Sequence, residues 1–158
     1  MKTIKIILTL SVCLLLPLII GGVSGYATAA GIKSWYLNLI KPSFNPPNYL
    51  FGPVWTFLYL LMGISLFLIW RAERGKERTN SLVIFTIQIT LNFLWSFLFF
   101  KFNLLGIAFI EIILIWLSIL VMIVIFRRVN KTAAYLQIPY LLWVTFASVL
   151  NGSIWFLN

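Results

Sequence analysis

The sequence predicts an all-α integral membrane protein: a five-transmembrane-helix bundle with a structured first loop acting as a lid. Three observations carry that prediction. Of 158 residues, 62% are hydrophobic and only 9% charged, with a mean hydropathy of +1.04, whereas a soluble domain runs nearer half apolar and a quarter charged. Five apolar runs, at about 6–25, 50–70, 82–100, 104–126 and 133–156, each reach 19 residues or more, enough to cross about 30 Å of hydrocarbon at about 1.5 Å per residue. Only one connection, residues 28–49, is long, so a single domain over 1–158 leaves little mass outside the bilayer.

The first run follows Lys2 and Lys5 and precedes Ala27-Thr28-Ala29, a pattern that imitates a cleavable signal peptide. Its length and its three internal glycines, Gly21, Gly22 and Gly25, suit a retained, closely packed helix better. Gly21 and Gly25 form a G-x-x-x-G, which permits close helix approach inside the bundle or in a dimer. The loop that follows holds Pro42, Pro46 and Pro47, and Pro53 opens the next helix. Proline fixes φ and pushes its predecessor out of the helical region, so the loop is expected to be rigid. Trp35, Tyr36, Phe44, Tyr49, Phe51 and Trp55 are interleaved with these prolines. They read either as an interfacial aromatic belt or as rings held on a scaffold; the proline frame favours the scaffold.

In the third helix Gln88, Asn92 and Trp95 fall at i, i+4 and i+7 and share one face. Amides are costly in lipid and must point inward, as an interhelical clamp or as ligand contacts. In the fourth, Glu111 is the only carboxyl group within a run. A proton relay lacks an acidic or basic partner there, so a structural role near the helix start is the stronger reading. In the fifth, Trp143, Ala147 and Leu150 form a stripe with Phe146 and Asn151 beside it, and the small Ala147 leaves room beneath the rings.

Charge sets the orientation. Lys2, Lys5, Arg71, Arg74, Lys76, Arg78, Arg127, Arg128 and Lys131 lie on one side, against Lys33, Lys41 and Lys101 on the other. The positive-inside rule then predicts a multi-pass cell-membrane protein with a cytoplasmic N-terminus and an external C-terminus. The same scatter excludes nucleic acid as a partner, since that requires a clustered basic face. The absence of histidine and the single cysteine, Cys13, leave no metal cluster, no triad and no internal disulfide. No intrinsic cofactor is expected. Any reaction must borrow its reactivity from a ligand, and an aromatic cavity with a few amides best suits a large, flat, amphipathic molecule.

The series Trp35-Tyr36, Leu39, Lys41-Pro42, Phe44, Pro46-Pro47, Phe51, Pro53, Trp55, Leu58-Tyr59, Met62-Gly63 and Trp70 closely resembles the signature of the translocator protein (TspO/MBR) family. These are the peripheral-type benzodiazepine receptors, whose bacterial members are called tryptophan-rich sensory proteins. The likeness continues through Gln88, Leu91-Asn92, Trp95, Phe99-Phe100, Pro139-Tyr140-Leu141, Trp143, Phe146-Ala147 and Leu150-Asn151. The resemblance implies a five-helix bundle that forms a homodimer and binds protoporphyrin IX, isoquinoline-carboxamides and benzodiazepines beneath the first loop. By the same resemblance, Trp55, Asn92, Trp95, Trp143, Phe146, Ala147 and Leu150 match the lining, with Trp35, Tyr36, Pro47, Phe51, Tyr59 and Gln88 as further ligand-binding candidates. It also implies light-dependent oxidative breakdown of protoporphyrin IX, with Trp55 and Trp143 as the catalytic pair.

With no histidine to ligate iron, a metal-free porphyrin is a more natural ligand than haem. The fifth run ends Leu150-Asn151-Gly152-Ser153-Ile154-Trp155-Phe156, without the tyrosines and arginine of sterol-binding members, which argues against cholesterol as a partner. A transporter or channel for porphyrins or other amphipathic molecules is the alternative. The absence of an internal repeat and of ion-coupling charges argues against driven transport.

Overall fold

The computed structural model describes residues 2–158, and these contain five membrane-spanning segments. The first is helix α1 (Lys2–Lys33), followed by a loop carrying 3₁₀ turns at Tyr36–Asn38 and Asn48–Leu50. Then come α2 (Phe51–Trp70) and α3 (Lys76–Ser96), which widens into one π-helical turn at Phe97–Lys101. The fourth segment is α4 (Leu105–Val129). The fifth joins a short α5 (Lys131–Tyr135) to α6 (Ile138–Leu157). In space α1 packs on α2 and α3, α3 on α4, and α4 on α6.

Several boundaries differ from those expected of the sequence: α1 begins at Lys2 rather than 6, α3 at Lys76 rather than 82, and α4 runs to Val129 rather than 126. Three further features have a local reason. Helix α1 continues to Lys33, through residues expected in part in the loop, because Ala27, Ala29 and Ala30 are strong helix formers and no proline interrupts them. The fifth run is two helices rather than one. Asn130 caps α5 by accepting from the Ala133 amide at 3.0 Å. Pro139 has no N–H to offer the carbonyl four residues back, and the chain tightens there, with Gln137 N–H donating to the Ala134 carbonyl at 3.1 Å. Pro139 then sits in the first turn of α6, where its missing N–H costs little. The third run ends in the π turn, closed by Phe102 N–H donating to the Phe97 carbonyl at 2.8 Å. That turn leaves both Phe99 and Phe100 buried, and Asn103 reverses the chain into α4 at φ 58°, a conformation asparagine tolerates.

The two ends of the bundle are built differently. At the end away from the first loop, Met62, Ile69, Ile119, Met122, Phe126, Ala133 and Ala134 are all fully buried. Ser65 donates to the Ala133 carbonyl at 2.6 Å, tying α2 to α5. Gly63 permits close contact between α1 and α2: a Cβ there would stand 2.8 Å from the Cys13 carbonyl oxygen and the Leu14 Cα. At the loop end the helices part around a cavity.

Candidate functional site

A layer of polar side chains closes the bottom of that cavity. The Tyr59 hydroxyl donates to Asn92 Oδ1 at 2.7 Å. Asn92 Nδ2 in turn donates to the Tyr140 hydroxyl at 2.9 Å, and Gln88 Nε2 donates to the same oxygen. Each of these groups is buried, and pairing them across α2, α3 and α6 satisfies both polar atoms of Asn92 and the Gln88 Nε2, leaving Gln88 Oε1 without a partner. Tyr59 and Asn92 face the cavity, while Gln88 lies beneath it.

The roof is the first loop, held at several points. Trp35 Nε1 donates to the Phe100 carbonyl at 2.9 Å, and its ring packs on Phe99 at 5.7 Å. Asn158 pairs with both backbone groups of Ile40, accepting from its N–H and donating to its carbonyl, each at 3.0 Å. The Tyr36 hydroxyl donates to Asn45 Oδ1 at 2.8 Å, and the Lys41 ammonium sits 4.9 Å from the centre of the Tyr36 ring. Burial pushes the Tyr36 phenol up to about 12, so it stays protonated and keeps donating at neutral pH. The loop is a braced lid.

Between floor and roof lies a cavity of about 390 Å³, within the range of small-molecule sites. Eight aromatic side chains line it. Trp55 stacks on Tyr59 with centroids 5.6 Å apart, Trp95 on Phe99 at 5.1 Å, and Phe51 meets Trp143 edge-on at 6.2 Å. Among the described residues, no Lys, Arg, Asp or Glu lines it. Its buried polar atoms without a partner are few: the indole Nε1 of Trp95 and of Trp143, and both amide atoms of Asn151.

Of the residues selected from the sequence, the structure brings Tyr36, Phe51, Trp55, Tyr59, Asn92, Trp95, Trp143, Ala147 and Leu150 onto this wall. Four lie elsewhere. Trp35 faces Phe99 and the π turn from behind. Pro47 is exposed and precedes the second 3₁₀ turn. Gln88 serves the floor, and Phe146 packs against Phe44 at 6.3 Å. Glu111 is buried off the wall, with Oε2 unpartnered.

Helix α1 forms a whole wall that is not read from the sequence, contributing Leu18, Gly21, Gly22, Ser24, Gly25, Thr28, Ala29 and Ile32. Gly21 serves the interior of the chain, since a Cβ there would run into the Tyr59 ring, whereas Gly22 and Gly25 have nothing within 4 Å. Gly22, Gly25 and Ala29 on α1, with Gly52 and Thr56 on α2, line the cavity and are also exposed. The cavity therefore opens sideways between α1 and α2, within the membrane-spanning segments.

A five-span bundle around a lidded, largely apolar cavity defines a class of multi-pass membrane proteins with an internal cavity. The sequence profile of the TspO/MBR family matches residues 13–156. The chain belongs to that family. It is 41% identical over 155 residues to Tryptophan-rich protein TspO of Chlorobaculum tepidum, covering 98% of each chain. It is 40% identical over 152 residues to Tryptophan-rich protein TspO of Archaeoglobus fulgidus, covering 96% of this chain and 98% of that one. The human Translocator protein is 35% identical over 134 residues, 84% of this chain and 79% of its own.

Proposed function

We propose that this chain binds a metal-free tetrapyrrole, with protoporphyrin IX as the type ligand, in the lidded cavity, and that it acts in porphyrin sensing or handling. The observation that carries this reading is the cavity wall: stacked indole and phenol rings with no charged side chain among the described residues. Flat faces of this kind favour a flat aromatic body, and a few unpaired donors fix its orientation. The opening between α1 and α2 supports the same class, because a lipid-dissolved molecule reaches it without crossing water. Family membership adds the pocket matches at Trp55, Asn92, Trp95, Trp143, Ala147 and Leu150. By the same matches, isoquinoline-carboxamide and benzodiazepine compounds should compete for the site.

A second activity rests on Trp55 and Trp143, both on the wall. A porphyrin excited by light, with dioxygen as oxidant, supplies its own reactivity, and adjacent indoles quench or trap the products without acid–base groups. The basic residues of the α2–α3 and α4–α5 turns lie at the end away from the lid, which supports a cytoplasmic N-terminus and an external lid.

Titration of purified protein with protoporphyrin IX in darkness, followed by tryptophan fluorescence, tests the binding. Saturable quenching supports the reading; none sinks it. Illumination of the complex then tests the chemistry. Trp55→Phe and Trp143→Phe should slow bleaching of bound porphyrin while retaining it, and equal bleaching by variants, wild type and free porphyrin would leave a binding protein only.

A further inference from the structure

Asn151 differs from the hydroxyl-bearing threonine and serines of its helix, and from Trp143, whose unpartnered indole Nε1 is a donor only. Thr145, Ser148 and Ser153 return their hydroxyls to the α6 backbone, donating to the carbonyls of Leu141, Val144 and Val149. Of the other amides near the cavity, Asn92 and Gln88 meet in the floor, where Gln88 Oε1 stays unpaired beneath the wall, and Asn48 is exposed. Asn151 is 1% exposed and lies on the cavity wall, yet neither Oδ1 nor Nδ2 has a partner. Gln137 is equally bare but lies off the wall.

An amide held without partners in an apolar interior is destabilising, and a ligand that satisfies both its atoms gains what the folded chain lacks. The two atoms narrow the chemistry. Asn presents one acceptor oxygen beside a donor nitrogen, which complements an edge carrying a donor beside an acceptor: a carboxyl group in its acid form, or a carboxamide. An ionised carboxylate fits poorly, since among the described residues no Lys or Arg lines the cavity to compensate it. The indoles of Trp95 and Trp143 offer donors only and cannot make this two-way match.

We propose that Asn151 is the specificity-determining residue of the cavity: its amide pairs with a carboxyl or carboxamide edge of the bound ligand while the aromatic walls hold the ligand's flat body. The inference rests on reading the cavity as a tetrapyrrole site, where the propionic acid side chain supplies that edge.

The test uses the full chain in detergent, in darkness, with two porphyrins: protoporphyrin IX, which carries two propionic acid groups, and etioporphyrin, which carries alkyl groups only. Asn151→Leu should weaken protoporphyrin IX by about tenfold, the loss of two hydrogen bonds, and leave etioporphyrin affinity unchanged. Equal loss for both ligands, or no loss for either, overturns the proposal. Should Asn151→Leu fail to fold, the wild type still decides: protoporphyrin IX must bind about tenfold tighter than etioporphyrin, and equal or reversed affinities overturn it. Wild-type protein that binds neither porphyrin would instead overturn the tetrapyrrole reading itself. Equally tight binding of both would spare that reading and sink the role of Asn151.

Discussion

The two halves of the bundle share the same five spans and use them in opposite ways. Away from the lid, Met122, Phe126, Ile119 and Met62 interdigitate without exposure, and α1 and α2 touch backbone to backbone at Gly63. Toward the lid, the same α1 and α2 part around Gly22 and Gly25, which touch nothing, and the rings of α2, α3 and α6 face a hollow. Glycine thus does two jobs in one helix pair. In lipid, where tails are as apolar as leucine, close packing holds helices together. The packed half therefore supplies the stability that lets the other half stay open.

Substitutions can break that contrast. The largest effect belongs to Met122→Ala, which empties a site that is 0% exposed; thermal unfolding in detergent should register a loss of about 2–5 kcal/mol, with porphyrin affinity little changed in the surviving folded protein. Next is the paired comparison of Gly63→Ala and Gly25→Ala. The first drives a Cβ to 2.8 Å from backbone atoms of α1 and the second meets open space. Unfolding should show a loss of about 1–3 kcal/mol for the first and no loss, or a gain of up to about 1 kcal/mol, for the second, where alanine is the better helix former. Similar losses at both would erase the distinction between the halves.

The boundary between them is tested by Tyr140→Phe. It removes the oxygen that accepts from both Gln88 and Asn92, leaving two buried donors bare, and should cost about 1–3 kcal/mol in the same assay. The smallest effect is expected at the roof. Asn158→Ala deletes both hydrogen bonds to Ile40, at an exposed site worth about 1 kcal/mol. It should leave global unfolding nearly unchanged, speed amide hydrogen exchange at Ile40, and quicken porphyrin release.

The packed architecture is written plainly in the sequence and the cavity unevenly, for reasons that particular residues make clear. Apolar runs long enough to span a bilayer are a strong signal, so five spans are legible even though the first also imitates a signal peptide. The end of α1 is not, because Ala27-Thr28-Ala29 has the composition of a cleavage site and the propensity of a helix. The stripe of Trp143, Ala147 and Leu150 carries its own face in its spacing. Phe146, three residues beyond Trp143, reads as lying beside that stripe and by resemblance as lining, yet its ring packs on Phe44 in the lid. Gln88 and Asn92 are alike in sequence and both donate to Tyr140 on another helix; what separates them is that Asn92, one turn nearer the lid, also accepts from Tyr59 and faces the cavity. The α1 wall is hidden because Gly22, Gly25 and Ala29 act by leaving space. Their spacing, together with Gly21, is the available signal, and it reads equally well as a dimer motif.

That the hollow half is a porphyrin site is tested most directly by filling it. Ala147 lies on the wall beneath the rings of α6, so Ala147→Phe occupies the space a ligand needs while leaving the packed half intact. Dark titrations with protoporphyrin IX should give saturable tryptophan quenching in the wild type and an affinity weaker by about tenfold or more in the variant, at matched thermal stability. Equal affinity in the two proteins would place the ligand outside the cavity and contradict the account.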